Sequence, residues 1–255
     1  SSLNTGNTMI LLANGCSHTA GAELEHPMQP RCYHKAWPQH LADTLGYEHE
    51  NLSNSGASCH RVVRTTIRYI LDYINSKKSL KDLFVVIAWP GPMRVELRKP
   101  LRVPEEEKKL YFDEDWLPIV LGNDSMYKKQ FTPKLYYYYK SWVVTMDEIG
   151  PVLDYLHYII MLQNFLLLHK IKYRFYSAAQ VSIDRSHPEL FGYRALINKK
   201  YFPHFDNQSM VITNLMERNG QKISPHSIDS GFASHFDEYS QYWLANYIFA
   251  ELQNE

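Results

Sequence analysis

The chain of 255 residues is long enough for one large α/β domain or two small ones. Basic and acidic residues both number 27, so the formal net charge is zero and nothing favours nucleic acid or an anionic membrane surface as a partner. The three cysteines, Cys16, Cys32 and Cys59, lack the spacing of a disulfide framework, and we expect a reducing, cytoplasmic compartment.

The first half of the chain alternates strand and helix signals. An apolar run at 9–14 predicts a strand, and residues 37–45 predict a helix that starts at a proline and stops at a glycine. A short strand then leads into a turn at 53–58, and apolar residues at helical spacing predict a helix from about 59 to 74. The β-branched run at 83–89 predicts a strand that is covered on both faces.

The second half begins with a charged segment, residues 94–131, which predicts an insertion carrying a short hairpin and loops. The tyrosines at 136–139 cannot all face one side of a helix, so a cover over a site is one use for them. The longest apolar run, 158–171, is broken by two polar residues and predicts a buried helix, so no membrane partner is expected. Helices are predicted at 133–148, 151–169 and about 237–252, a strand at 171–177, and loops or short helices at 180–230.

Strands that alternate with helices predict an α/β fold in three layers around a central parallel sheet. Residues 9–255 are interpreted as one domain, and the polar residues 1–8 as an added tail or a disordered leader. Loops at the carboxyl ends of parallel strands share one edge of the sheet. That rule brings together Gly15–Thr19, Ser53–Ser58 and Trp89–Arg94.

Ser17 lies in a setting that suits a nucleophile. It follows the first strand at a turn into a helix, where its own backbone N–H can face a developing oxyanion. Gly56 can offer a second N–H at close approach. A serine also needs a histidine within hydrogen-bond reach, and His235 precedes the last helix, where it can reach the same edge. No metal-ligand spacing stands out among the 12 histidines, and no metal or organic cofactor is implied.

Three blocks of the chain resemble those of the SGNH (GDSL-like) hydrolases, a family of flavodoxin-like α/β/α esterases, acetylhydrolases and acyltransferases. "NGCSHTAG" resembles the first block and places Ser17 at the nucleophile position. "NLSNSGAS" resembles the second block and places Gly56 at the oxyanion glycine. "SHFDEYSQYWLA" resembles the last block and places His235 at the position of the base.

The chain departs from the family pattern in its oxyanion donors. Cys16 replaces the aspartate of the first block, and the asparagine of the third block is missing from "AWPGPMRVE". The groups that could replace this asparagine as an oxyanion donor are the indole N–H of Trp89, the backbone N–H of Gly91 and the side chain of Asn54.

The acid partner of His235 is also missing from its usual position. The family places it three residues before the histidine, where this chain has Phe232. Asp229 is the nearest carboxylate upstream, and Asp237 is the nearest downstream. A Ser–His dyad, with a backbone carbonyl that orients the imidazole, is an equal alternative.

The resemblance implies a serine-dependent esterase or O-acetylesterase that works through an acyl-enzyme, with a small-molecule or glycan ester as substrate and acetyl as the preferred acyl group. Arg94, His18 and Asn54 are candidate substrate-binding residues, because an arginine can hold a carboxylate or phosphate bidentately and the other two lie beside the site. The same site would serve an acyltransferase. A different hypothesis is a catalytically inactive SGNH-fold module that binds a glycan or an acylated ligand, and a third is a Cys16 nucleophile.

Overall fold

A computed structural model of the protein describes residues 8–99, 116–121, 124–147, 149–179, 187–229 and 234–254. The predicted leader lies almost entirely outside the described residues, and so does the centre of the predicted insertion. The strands are β1 (Ile10–Gly15), β2 (Glu48–Asn51), β3 (Leu83–Trp89), β4 (Arg94–Arg98), β5 (Trp116–Val120) and β6 (Lys172–Ser177).

Four of these strands form a central parallel sheet in the order β2-β1-β3-β6. Successive side chains of β3 point to opposite faces, so Val85 and Ile87 enter one core while Val86 and Ala88 enter the other. All four side chains are fully buried, which explains why this strand has no polar face. The predicted α/β fold with a central parallel sheet is therefore confirmed.

Helices cover both faces of the sheet and complete the three layers. The helices are α1 (Ser17–Ala20), α2 (Trp37–Leu45), α3 (Cys59–Asn75), α4 (Asp124–Gln130), α5 (Pro133–Thr145), α6 (Gly150–Leu168), α7 (Pro188–Ala195), α8 (Ile212–Arg218), α9 (Pro225–Asp229) and α10 (Glu238–Gln253). Helices α3 and α6 pack with α7 on one face, and α2, α8 and α10 pack on the other.

Helix α6 is the helix predicted to be buried. Of the helices in the described ranges, it alone is long and apolar enough to cross a membrane, with a mean hydropathy of 1.3. Its residues Tyr155, Leu156 and Ile159 are at most 2% exposed and belong to the core between the helix and the sheet. The apolar composition is explained by this packing, because a core helix passes the same test.

Strands β4 and β5 pair antiparallel as a separate two-stranded sheet within the segment predicted to carry a hairpin. This hairpin shares a small core with α4 and α5 that is distinct from the two cores of the central sheet. Helix α5 ends at Thr145, short of the predicted 148, because the backbone of Met146 is extended. The Asp147 carboxylate accepts hydrogen bonds from the backbone N–H groups of Ile149 and Gly150 at the start of α6.

Asn14 fixes the end of β1 against α3. Its fully buried Nδ2 lies 2.8 Å from Thr65 Oγ1, 2.9 Å from Thr66 Oγ1 and 3.2 Å from the Val62 carbonyl oxygen. The next residue must be glycine, because a Cβ at Gly15 would lie 2.7 Å from the backbone oxygen of Ala88. The loop that carries Ser17 therefore leaves the sheet from a fixed point.

Candidate active site

Three predicted site residues line one cavity at the carboxyl edge of the sheet. The cavity has a volume of about 690 Å³ and includes Ser17, Gly56 and His235 in its wall. Glu23, which the sequence analysis did not select, lines the same cavity. Segments from the start, the middle and the end of the chain therefore meet at this edge.

Ser17 is the first residue of α1, directly after β1, and is 7% exposed. The short helix ends at Gly21, whose φ of +66° and close contact with the Cys32 carbonyl oxygen exclude a side chain. Cys16 is fully buried in the core beneath α2 and α10. A cysteine nucleophile at Cys16 is therefore disfavoured, since its thiol has no exposure to the cavity.

His235 forms an ion-pair-type hydrogen bond with Glu23. The His235 Nδ1 atom lies 2.7 Å from Glu23 Oε2, and the two side chains are 13% and 3% exposed. A carboxylate oxygen only accepts hydrogen bonds, so Nδ1 carries the hydrogen and Nε2 is left as the acceptor in the neutral ring. The partners are 212 positions apart in the sequence, so local sequence patterns cannot reveal this contact.

The loop after α1 holds Glu23 in place. Its Oε1 atom accepts a hydrogen bond from the Met28 backbone N–H at 3.2 Å, and its own N–H donates to the Gln29 carbonyl oxygen at 3.0 Å. The Glu23 φ of +58° lies in the left-handed region, which costs a non-glycine residue about 1 kcal/mol. Such strain persists where surrounding contacts enforce it, and it is common at functional sites.

Two buried serines connect the loop that carries Glu23 to the loop that carries His235. The Ser224 hydroxyl donates to the Glu23 carbonyl oxygen at 2.6 Å, and the Ser224 N–H donates to the His235 carbonyl oxygen at 2.8 Å. Ser227 Oγ accepts from the backbone N–H groups of Ser234 and His235, both at 3.1 Å. Neither serine was predicted from the sequence, because both lie in the region of loops and short helices where periodicity is weak.

Burial lowers the pKa of His235, and the positive charge of Arg94 lowers it further, while the Glu23 carboxylate opposes both effects. His18 lies beside this ring, with the two ring centroids 5.2 Å apart. Burial, with smaller contributions from His235 and Arg94, lowers the pKa of His18 to about 3. Both effects favour neutral imidazoles at this edge at neutral pH.

The predicted acid partners of His235 are corrected by the structure. Asp229 is exposed at the end of α9, and Glu23 occupies the Nδ1 position instead. Asp237 is the N-cap of α10, where its Oδ1 atom accepts from the Ser240 N–H at 2.8 Å. Both predictions rested on proximity in sequence, whereas the partner comes from a distant loop.

Trp89 is also corrected as an oxyanion donor. Its side chain is fully buried against Phe175 and Tyr155, with ring centroids 5.4 and 6.4 Å away, in the core beneath α3 and α6. Among the described residues, neither Trp89 nor Asn54 lines the cavity of Ser17. Asn54 is 6% exposed, and its backbone carbonyl accepts a hydrogen bond from the Ala57 N–H. Gly56 does line the cavity, with a φ of +74°.

Arg94 and His18 lie next to the cavity of Ser17, and neither is among its described lining residues. Arg94 lines a neighbouring cavity of about 510 Å³ together with His60, Trp116 and Tyr158. Its Nη1 atom is buried without a hydrogen-bond partner among the described atoms. The predicted roles of Arg94, His18 and Asn54 in substrate binding stay predictions.

The tyrosines at 136–139 do not form the cover. Tyr139 is buried in the core of the hairpin and α4, whereas Tyr137 and Tyr138 are 74% and 54% exposed. The residues that cover the cavity come instead from β5 and α4. A four-residue run on a helix points in several directions, and here Tyr139 is buried in this core while the half-buried Tyr136 packs against it.

One group among the described residues has the composition of a metal site. The ligand atoms of Glu25, Cys32 and His34 lie within 4.8 Å of one another. However, Lys35 already pairs with the Glu25 carboxylate at 3.5 Å, and burial together with Glu25 raises the pKa of the Cys32 thiol to about 11. A thiol that stays protonated and a carboxylate that is already paired are poor ligands for a cation.

Comparison with known proteins gives one family model and a set of solved structures with a similar fold. A family model described as "Family of unknown function (DUF6071)" matches residues 23–195. No curated protein matches the chain.

Three solved structures resemble the fold at low identity. The psychrotrophic esterase EstA from a Pseudoalteromonas species is 9% identical, with a TM-score of 0.43 over 96% of this chain and 97% of that one. The acetyl xylan esterase AlAXEase is 12% identical, with a TM-score of 0.41 over 95% and 99%. A carbohydrate esterase with catalytic and non-catalytic binding functions is 11% identical, with a TM-score of 0.44 over 97% and 69%.

Proposed function

Because the chain belongs to the DUF6071 family, whose function is unknown, its activity must be inferred from its own residues, and we propose that it is a serine hydrolase of the SGNH type that acts on carboxylic esters. The observation that carries the proposal is the 2.7 Å contact between His235 and Glu23 in the cavity that Ser17 lines. A serine, a histidine and a buried carboxylate are the three groups that such a mechanism needs.

In the proposed reaction, Ser17 Oγ attacks the ester carbonyl carbon while His235 Nε2 takes the hydroxyl proton. Glu23 keeps the hydrogen on Nδ1 and stabilises the imidazolium that forms. The proton then passes to the oxygen of the leaving alcohol, and an acyl-enzyme remains on Ser17. A water molecule, deprotonated by His235, releases the acid and regenerates the serine.

The backbone N–H groups of Ser17 and Gly56 are the proposed oxyanion donors. Both residues line the cavity, and the left-handed φ of Gly56 is a conformation that L side chains rarely adopt. Fixed backbone donors are effective here because they need no reorganisation as negative charge develops. An alcohol in place of the water would make the same site an acyltransferase, and product analysis with added alcohol separates the two reactions.

The proposal is tested by labelling with a fluorophosphonate probe, which reacts with an activated serine. We expect the wild-type protein to be labelled and Ser17→Ala to be unlabelled. Ser55→Ala is the matched control, because Ser55 lines the same cavity and its hydroxyl already donates to the Pro30 carbonyl oxygen at 2.8 Å. This variant should be labelled like the wild type. A folded wild-type protein that resists the probe would favour the inactive binding module.

A further inference from the structure

The cavity beside Ser17 has an apolar roof. Leu117, Pro118 and Val120 of the hairpin, Met126 of α4 and Phe131, which directly follows α4, form this roof. Across the cavity, Ala22, Met28 and Pro30 belong to the loop that carries Glu23. In the described part of the wall, Glu23 is the single acidic residue, and its carboxylate is already paired with His235.

The roof is held rigidly by the small core of the insertion. The rings of Tyr127 and Phe131 stack with centroids 4.6 Å apart, and Tyr139 meets Tyr127 edge-on at 4.9 Å. The backbone N–H of Val120 donates to the Tyr127 hydroxyl at 2.6 Å, which fixes β5 relative to α4. The apolar wall therefore belongs to a unit that is packed around its own small core.

This roof begins at the proposed oxyanion glycine. A methyl group placed on Gly56 would lie 3.8 Å from Pro118 Cβ and 3.9 Å from Val120 Cγ2. The aliphatic side chains of Pro118 and Val120 therefore lie directly beside Gly56, in the wall of the same cavity. A volume of about 690 Å³ is also that of a typical small-molecule site and is far more than an acetyl group fills.

Building on the function proposed above, we infer that the substrate is an ester with a medium-length apolar acyl chain, which lies under this roof. Lys129 and Gln130 of α4 also line the cavity, but a sugar acetate would leave the five apolar side chains of the roof without contacts. An aliphatic chain needs no hydrogen bonds and gains free energy from each methylene that leaves water. The preference for acetyl implied by the family resemblance is replaced by this inference.

The first test is a series of p-nitrophenyl esters from acetate through butanoate and hexanoate to octanoate. Each buried methylene should raise kcat/KM by about fourfold until the cavity is filled. A parallel series of acetate esters, with alcohols of increasing length, asks whether the alcohol group uses the same wall. Acyl-chain dependence with a flat alcohol series supports the inference. A flat acyl series, or dependence in the alcohol series alone, overturns it.

The second test fills the cavity from its roof. Val120→Phe should lower the ratio of octanoate to acetate kcat/KM by at least tenfold, since a ring replaces the space for several methylenes. Val144→Phe is the matched control, because Val144 is 80% exposed on α5 of the same insertion. This control should leave the ratio unchanged. An unchanged ratio in Val120→Phe would contradict the inference.

A binding measurement separates this inference from the proposed reaction. Ser17→Ala should bind dansyl-undecanoic acid with saturable fluorescence enhancement, and adding Val120→Phe should weaken the binding at least tenfold. Saturable binding without any esterase activity in the wild type would contradict the proposed reaction and support the apolar binding site. Esterase activity in the wild type, without chain-length dependence and without binding to Ser17→Ala, would contradict the apolar site and support the reaction.

Discussion

A carboxylate that is buried and hydrogen-bonded to an imidazole controls which nitrogen of that ring carries the hydrogen. The Glu23 carboxylate holds the hydrogen on Nδ1 of His235 through Oε2, and its other oxygen, Oε1, accepts a hydrogen bond from the Met28 N–H. Ser224 ties the backbones of both residues together. Each contact restricts the two side chains to one geometry, so the proposed general base is oriented before a substrate binds.

At this scale we predict that Glu23→Gln lowers kcat by about 10²–10⁴-fold, because an amide can favour the wrong imidazole tautomer. In this variant, the fall of kcat/KM on acidification should be shifted to a lower pH than in the wild type. The Glu23 carboxylate raises the pKa of His235 against the effect of burial, so its removal lowers that pKa further. The measurement is kcat/KM from pH 4 to 9 with a p-nitrophenyl ester.

Glu25→Gln is the control for this prediction, because Glu25 lies in the same loop and its side chain is 31% exposed. It should leave kcat within about twofold of the wild type, as expected for a surface ion pair. Equal rates for Glu23→Gln and the wild type would support the dyad in which a backbone carbonyl orients His235.

At the scale of elements, the start of α10 determines where His235 lies. Phe236, 1% exposed, packs into the core beneath α2 and α10, and its backbone forms an isolated bridge with Ile223. Asp237 then caps the helix through the Ser240 N–H. The histidine is thus held between a buried aromatic anchor and a capped helix, which leaves its ring at the edge of the sheet.

We predict that Asp237→Ala lowers the free energy of unfolding by about 1 kcal/mol, the usual contribution of an N-cap side chain. Asp237→Asn should restore it, since asparagine caps a helix almost as well. Urea denaturation measures the stability, and kcat per folded molecule should be the same in all three proteins. A loss of kcat in Asp237→Asn with unchanged stability would instead indicate that Asp237 is the acid of His235.

At the scale of the whole molecule, buried histidines make stability depend on pH. Burial lowers the pKa of His18 to about 3 and that of His49 to about 4, and it also lowers the pKa of His235. In the unfolded chain the same side chains titrate near the ordinary value of about 6.5. Below about pH 6.5 the unfolded state therefore binds more protons than the folded state. The free energy of unfolding falls as the pH decreases from about 6.5 towards the lowered pKa values of the folded state.

We predict that the free energy of unfolding decreases between pH 7 and pH 5, and that His18 alone accounts for about 2 kcal/mol of the decrease. His18→Gln should show a correspondingly smaller pH dependence in urea denaturation. His26→Gln, at an exposed position, is the control and should behave like the wild type. An identical pH dependence in His18→Gln and the wild type would contradict a buried neutral imidazole at this position.

The sequence by itself determined the order of the elements and three of the cavity residues. Hydrophobic periodicity and turn residues act over a few positions, so α2 was predicted with its observed bounds, Trp37–Leu45. Ser17, Gly56 and His235 were predicted from their positions after a strand, in a turn and before a helix, together with the resemblance of the surrounding segments to the three SGNH blocks.

Only the tertiary structure decided which of the 27 acidic residues meets His235, because no local pattern reports a contact across 212 residues. The tertiary structure also decided on which face of the sheet the Trp89 side chain lies. Strand β3 is covered on both faces, so its sequence has no alternation of polar and apolar residues that would distinguish the two faces. The apolar roof was hidden for a related reason. Its side chains share a cavity with Ser17 because the insertion, which has its own small core, lies beside the edge of the sheet, and that placement depends on contacts between distant segments.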